Sequence, residues 1–331
     1  MKKLILWLCA IVIAAIALFF ILDCAGVGST KEPVTLTIPS GSNSFQIAQT
    51  LKENDLIQSK VFFVGYSVVT GKKYHAGEHT VEGGGYGTIA ESLTQATALK
   101  SVRVTIKEGS ELHEIAELLE EQGLTTQEDF YDAADPAKYD YWFLKEIPER
   151  DNPLEGYLFP DTYEFSMTEG AESIINKMLA NFDRKITQER IDQAKARDMT
   201  LDEIIIMASI VEREAAVKSE FPIVAGVFYN RIEGVGESNG LLESCATVQY
   251  ILKERKPVLS VADTQIQSPY NTYLNKGLPI GPIASPGLDA IDAALNPAET
   301  DYLYFVAGGD GTHYFAKTYQ QHLENMRKAG L

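Results

Sequence analysis

The stretch "IIIMASIVEREAAV", Ile204 to Val217, places an uncharged run ahead of Glu212, Arg213 and Glu214. Its composition and helix-forming flanks predict a buried helix. Two acids at the end of such a segment need a reason. In most proteins the helix simply surfaces there. Alternatively one of the acids is a catalytic group held against an apolar wall, where desolvation keeps it protonated near neutrality. At about 3.6 residues per turn, Glu212 and Glu214 lie about 200° apart, so only one can face a given cleft. Glu214 follows Val211, Ile210 and Met207 at helical spacing and extends an apolar stripe, whereas Glu212 follows Ser209, Ala208 and Ile205. Glu214 is therefore the catalytic candidate, with Glu212 as the alternative.

Working outward, the 331 residues are 45% hydrophobic and carry a formal charge of −17. That charge excludes a nucleic-acid binder held by phosphate contacts. Lys2 and Lys3 precede an uncharged apolar run, Leu4 to Leu22. Its length predicts a single-pass membrane anchor over residues 1–22, with the N-terminus cytoplasmic and everything beyond a 23–33 linker extracytoplasmic. A cleaved signal peptide would have a shorter apolar core and an A-x-A-like site, which "DCAGVGSTKEP" lacks. Asp23 is likewise a poor neighbour for a lipidated Cys24. Past Cys24 the sole cysteine is Cys245, so no internal disulfide is available, and the five histidines form no H-E-x-x-H. The sequence calls for neither metal nor cofactor.

Two segments repeat at an offset of 68 residues: "VTLTIPSGSNSFQIAQTLKENDLI" from Val34 and "VRVTIKEGSELHEIAELLEEQGLT" from Val102. Matched positions include Gly41 with Gly109, Ile47 with Ile115, Leu51 with Leu119 and Phe62 with Phe130. Each copy, near 34–63 and 102–131, reads as a strand, a Gly-Ser turn and a helix, without acids and bases arranged for chemistry. They are read as binding or packing modules in a 34–150 region. The glycines from Gly83 to Gly87 lack the G-K-[ST] of a phosphate loop. After the connector "DPAKYDYWFLKEIPERDNP", residues 151–331 read as the catalytic domain, and a chain starting near Asn152 is expected to retain cleavage if it folds. Within it, Tyr302 to Ala316 predicts a hairpin with Gly-Asp-Gly at its tip.

No G-x-S-x-G elbow is present, and Cys245 has no nearby histidine to make a nucleophile pair. Aromatic and polar residues interleave in "LEGYLFPDTYEF", "VFYNRI" and "SPYNTYLNKGLPIGPIASPG". Such stretches suit a sugar cleft, with plain Pro/Gly loops anchored by tyrosines as the other reading.

These blocks, with "ASIVEREA", "ATVQY" and "YLYFVAGGDGTHYFA", resemble the sequential motifs of the YceG-like (MltG) family of endolytic murein transglycosylases, from about Val34 to the C-terminus. The resemblance implies an α+β protein: an anchor helix, LysM-like strand/helix modules and a mixed catalytic domain whose transglycosylase-like helix carries the catalytic Glu. It also implies cleavage of the bond between N-acetylmuramic acid and N-acetylglucosamine within a glycan strand, leaving 1,6-anhydro ends and ending glycan elongation. The implied partners are peptidoglycan strands, the membrane and peptidoglycan synthases such as penicillin-binding proteins. A catalytic glutamate followed by a small residue, as Glu214 is by Ala215, fits the family. Glu155, Asp161, Asn230, Asn271 and Tyr273 fall on motif positions expected to line the cleft. Many members read Asp-Pro-Thr-Val where this chain has Cys245, Ala246, Thr247 and Val248, so Cys245 is read as a packed small residue. The competing readings are a non-catalytic peptidoglycan-binding scaffold and a hydrolytic muramidase.

Overall fold

In the computed structural model, residues 2–39, 41–95, 101–236, 238–256 and 258–331 are described, those at 2–6 and 9 by backbone only. The chain opens on helix α1, Lys2–Cys24, of 23 residues. Its described side chains from Trp7 to Leu22 are exposed. With residues 2–6 and 9 set aside, no helix of the described residues is long and apolar enough to cross a membrane.

The chain divides into two units, residues 1–102 with 165–169 and residues 103–164 with 170–331. In the first, β1 (Val34–Ile38), α2 (Ser44–Glu53), α3 (Lys60–Thr70), β2 (Gly77–Val81) and α4 (Tyr86–Thr94) follow in order. β1 and β2 pair antiparallel, Val34 opposite Val81 and Ile38 opposite Gly77. Leu36, Ile38, Ile47, Leu51, Phe63 and Tyr86 form the core. The expected 23–33 linker is fastened to this unit. Asp23 is buried and accepts bonds from Gln58 N and Ser59 N at 2.8 Å and Tyr86 Oη at 2.5 Å. The Gly-rich loop has a packing reason: a Cβ on Gly83 or Gly85 would collide with the backbone of Thr30 and Lys31 or of Cys24, so only glycine lets the two chain segments cross.

The division falls within β3 (Ser101–Thr105) and β4 (Thr162–Ser166), which pair with each other, and the second unit takes in Arg103 to Thr105, α5 (Leu112–Glu121), α6 (Gln127–Ala133) and Thr162 to Glu164. Then come α7 (Ala171–Lys185), α8 (Gln188–Ala196), α9 (Leu201–Glu214), α10 (Phe221–Ile232), α11 (Cys245–Leu252), α12 (Leu288–Leu295), β5 (Tyr304–Ala307), β6 (His313–Ala316) and α13 (Tyr319–Ala329). The chain is thus mixed α+β; among the described residues its sheets are all two-stranded and helix predominates.

The repeat seen in the sequence is a repeat of structure. α2 and α5 begin and end 68 residues apart, each preceded by a left-handed glycine, Gly41 (φ 82°) and Gly109 (φ 75°). Each is also started by the same reciprocal bond, Asn43 N to Gln46 Oε1 and Glu111 N to Glu114 Oε2. Ile47 and Ile115, and Leu51 and Leu119, are buried in turn.

The copies nevertheless fall in different units, so the expected boundary at 150 is corrected: the second copy, from Arg103, belongs with the helices that follow. Polar ties explain why. Arg213 pairs with Glu111 at 2.6 Å, both side chains almost wholly buried. Leu112 N donates to both oxygens of Glu155, and Arg150 reaches Asp202 with two bonds of 2.7 and 2.8 Å. All three ties would be cut in a chain beginning at Asn152. Removing one partner of a buried ion pair costs about 3–5 kcal/mol, a large share of the ~5–15 kcal/mol that stabilises a domain. Such a chain should therefore show no cooperative urea transition followed by circular dichroism, whereas one beginning near Arg103 should keep it.

Candidate active site

α9 runs through the middle of the second unit, packed by α8, α10, α11 and α12. Thr200 caps it, its Oγ1 accepting from Glu203 N while Glu203 Oε2 accepts from Thr200 N. Leu201, Asp202 and every residue from Ile204 to Val211 are buried. The helix ends at Glu214, and buried Ala215 turns straight into extended backbone.

The two acids part company as their spacing requires. Glu212 Oε2 accepts from Gly287 N at 3.0 Å and so caps α12. Burial raises its pKa, partly offset by that bond. Glu214 instead lines a cleft of about 440 Å³ with Arg231, Glu243, Cys245, Tyr273, Tyr304 and His322 among its walls. Its seat is polar, which corrects the expected apolar wall. Oε1 accepts from Ser244 Oγ at 2.5 Å and from Ala246 N at 3.3 Å, in the first turn of α11. Met207, Ile210 and Val211 are buried but lie below the carboxylate along α9.

Of the motif residues, Tyr273 lines the cleft, its hydroxyl 3.1 Å from Cys245 Sγ and its pKa raised by burial. Cys245 is exposed at the cleft rather than packed away as expected. The other four do not line it. Asn271, fully buried, donates to Thr264 O and Ile266 O and accepts from Tyr273 N, which fixes the loop carrying that tyrosine. Asn230 donates to Thr300 O and Tyr302 O, anchoring the approach to β5 and hence Tyr304. Asp161 receives Asn181 Nδ2 and Thr162 N, and these bonds lower its pKa. Glu155 lies buried at the start of α5, bound to Leu112 N and Tyr250 Oη. Burial, reinforced by the charge of Glu111, pushes its pKa to about 8 against the Leu112 bond.

Several wall residues escaped the sequence. Arg231, 8% exposed, donates to Leu303 O and Leu242 O and lies 5.6 Å over the Tyr304 ring. Burial lowers its pKa, opposed by the charges of Glu243 and Glu214. His322 stacks on Tyr304 at 5.3 Å, with its pKa lowered by burial and by Arg231. Ser244 is placed through its backbone N by Thr272 Oγ1. The sole sequence signal for these was "VFYNRI" and the hairpin strand, which carry Arg231 and Tyr304. The hairpin itself forms as predicted, Tyr304 opposite Ala316 and Ala307 opposite His313.

The fold and cleft define a mixed α+β protein with a glutamate at a helix terminus facing a cleft whose walls carry aromatic residues, Arg231 and a second acid, Glu243. Residues 36–328 match the YceG-like family, and the chain belongs to it. It is 33% identical over 312 residues to the endolytic murein transglycosylase of Bacillus subtilis, covering 90% of this chain and 85% of that one. A protein of the same name from Streptococcus pneumoniae is 32% identical over 335 residues, 90% of this chain and 58% of that longer protein. The crystal structure of a YceG-like protein from Listeria monocytogenes superposes with a TM-score of 0.59 at 30% identity, covering 89% of this chain and 99% of that chain.

Glu155 allows a test of the buried polar layer. Between the ordinary 4.5 and about 8, native Glu155 holds a proton that the unfolded chain releases. Its contribution to stability is therefore greatest at low pH and is lost as pH rises through that window. Glu155→Gln, which mimics the protonated acid, should flatten the decline of the urea midpoint between pH 5 and 8.5. An unchanged slope would remove Glu155 from this role.

Proposed function

We propose that the chain is an endolytic murein transglycosylase that cuts between N-acetylmuramic acid and N-acetylglucosamine with Glu214 as its acid and base. The observation carrying this reading is Glu214 at the end of α9, facing a cleft on a chain of this family. Ser244 and Ala246 both hold Oε1, so Oε2 is the oxygen presented to substrate. Protonated there, Glu214 gives its proton to the glycosidic oxygen as the C1–O bond breaks. The muramic acid's own C6 hydroxyl closes on C1, and its proton returns to Oε2. No water enters, and one carboxylate serves both steps because the substrate supplies a nucleophile already held close. The usual hydrolase needs a second, placed carboxylate.

In the same reading α1 anchors the protein in the membrane with its N-terminus cytoplasmic. Its 23 residues at about 1.5 Å each reach about 34 Å, against about 30 Å of hydrocarbon, and its exposed apolar side chains need such a solvent. The strand–helix–helix–strand order from β1 to β2 supports a LysM-like module, and such a module holds glycan. Tyr273 contacts substrate, while Asn230 and Asn271 position the walls. Anchoring beside the membrane brings the cleft to nascent strands and to the penicillin-binding synthases that make them.

Mass spectrometry of digested glycan is the direct test: anhydro ends support the reading, whereas reducing ends or intact strands reject it. Glu214→Gln keeps shape and hydrogen bonding but has no proton to pass, so anhydro product should fall by about 100- to 10,000-fold. Glu212→Gln, at the α12 cap, should retain most activity. A dead Glu212→Gln beside an active Glu214→Gln would exchange their roles.

A further inference from the structure

Three stretches that line the Glu214 cleft run on into a second hollow. Arg231 is followed by Glu233 and Gly234; Glu243 and Cys245 are preceded by Asn239 and Gly240; Tyr273 is followed by Lys276 and Gly277. The first members line the cleft, and the later ones line an open trough of about 560 Å³. The trough and the cleft are thus built from the same three stretches of chain, a few residues apart in each. Two of these are stitched together, Gly277 N donating to Gly240 O at 2.8 Å and Leu241 bridging to Lys276.

The chemistry of the trough differs from that of the cleft. Gly234, Gly240 and Gly277 all adopt left-handed backbone, so no side chain rises from these positions. Glu233, Asn239 and Lys276 stand exposed around them. Neither Glu233 nor Lys276 is tied into an ion pair among the described residues. The Lys276 stem lies across Gly240, where a Cβ would meet it at 3.6 Å. A cation and an anion lining one trough match a ligand that carries both charges. On a chain of net charge −17 a lone lysine also offsets the repulsion of an approaching carboxylate.

We propose that this trough is a subsite for the peptide carried by a muramic acid residue. Lys276 takes a peptide carboxylate and Glu233 faces the peptide's amine. The proposal rests on the glycan-cleaving reading above. It makes the enzyme favour strands that still bear their peptides over strands stripped of them, because only the former can fill cleft and trough together.

The test compares wild type and Lys276→Glu, as full chains, on peptide-bearing glycan strands and on the same strands after an amidase has removed the peptides. The ratio of kcat/KM for the two substrates should fall about 2- to 5-fold in Lys276→Glu, mostly through KM, in the range of an exposed charge contact. An unchanged ratio, with or without a general loss of rate, would overturn the proposal. A binding arm separates it from the reaction assigned to Glu214. In a Glu214→Gln background, Lys276→Glu should weaken binding of peptide-bearing strands relative to stripped ones. An affinity ratio for the two strands that Lys276→Glu leaves unchanged would overturn the subsite, whatever ends the wild-type enzyme leaves.

Discussion

Three consecutive residues at the end of α9 hold the second unit together. Glu212 caps α12 through Gly287 N, Arg213 reaches back to buried Glu111 at the start of α5, and Glu214 turns to the first turn of α11. Successive helical residues point about 100° apart, so one turn of helix serves three neighbours in three directions. The end point is fixed as tightly, because buried Ala215 leaves the helix immediately. Slipping α9 by one residue would break the cap, the ion pair and the carboxylate's seat together.

The far end of α9 is held the same way. Asp202, in the first turn, receives both guanidinium nitrogens of Arg150 and the Tyr157 hydroxyl. A carboxylate suits the positive end of the helix dipole, and its hydrogen bonds offset the cost of burying it. With all sheets two-stranded, little cross-strand pairing is available to set the register of the helices. Charged residues at both ends of an otherwise apolar helix supply that specification. They also draw the second copy of the repeat, through Glu111, into the unit that carries the cleft, although its local design matches that of the first copy.

What the sequence revealed follows from which interactions are local. The offset of 68 predicted α2 and α5 because a glycine turn, a capping bond and i, i+4 burial all act within a dozen residues. The divergence of Glu212 and Glu214 was legible because helical geometry alone separates them. The boundary at 150 failed because Glu111–Arg213 and Arg150–Asp202 span 102 and 52 residues, beyond any pattern in a single stretch. Glu155, Asp161, Asn230 and Asn271 were recognised as motif residues but assigned to the cleft. A buried polar residue bound to backbone and a ligand-binding one have the same identity in a sequence; only their neighbours distinguish them. Arg231 lay in a recognised motif, "VFYNRI", without being singled out, and His322 was missed because the turn of α13 that brings it onto Tyr304 carries no motif of its own.

The polar seat of Glu214 changes the argument that first drew attention to it. An apolar wall favours a carboxylic acid that only donates, because it penalises the anion left behind. A group that donates and then takes a proton back within one turnover must be stable in both forms. Ser244 Oγ and Ala246 N, at the start of α11, both donate to Oε1, and in the proposed reaction Oε2 is left to exchange the proton. Arg231, buried nearby and bonded to two backbone carbonyls, adds a fixed positive charge without handling protons itself. The buried length of α9 then acts as a rigid mount: it holds the carboxylate beside the start of α11 at the cleft, and in the proposed reaction leaves the chemistry to a single oxygen.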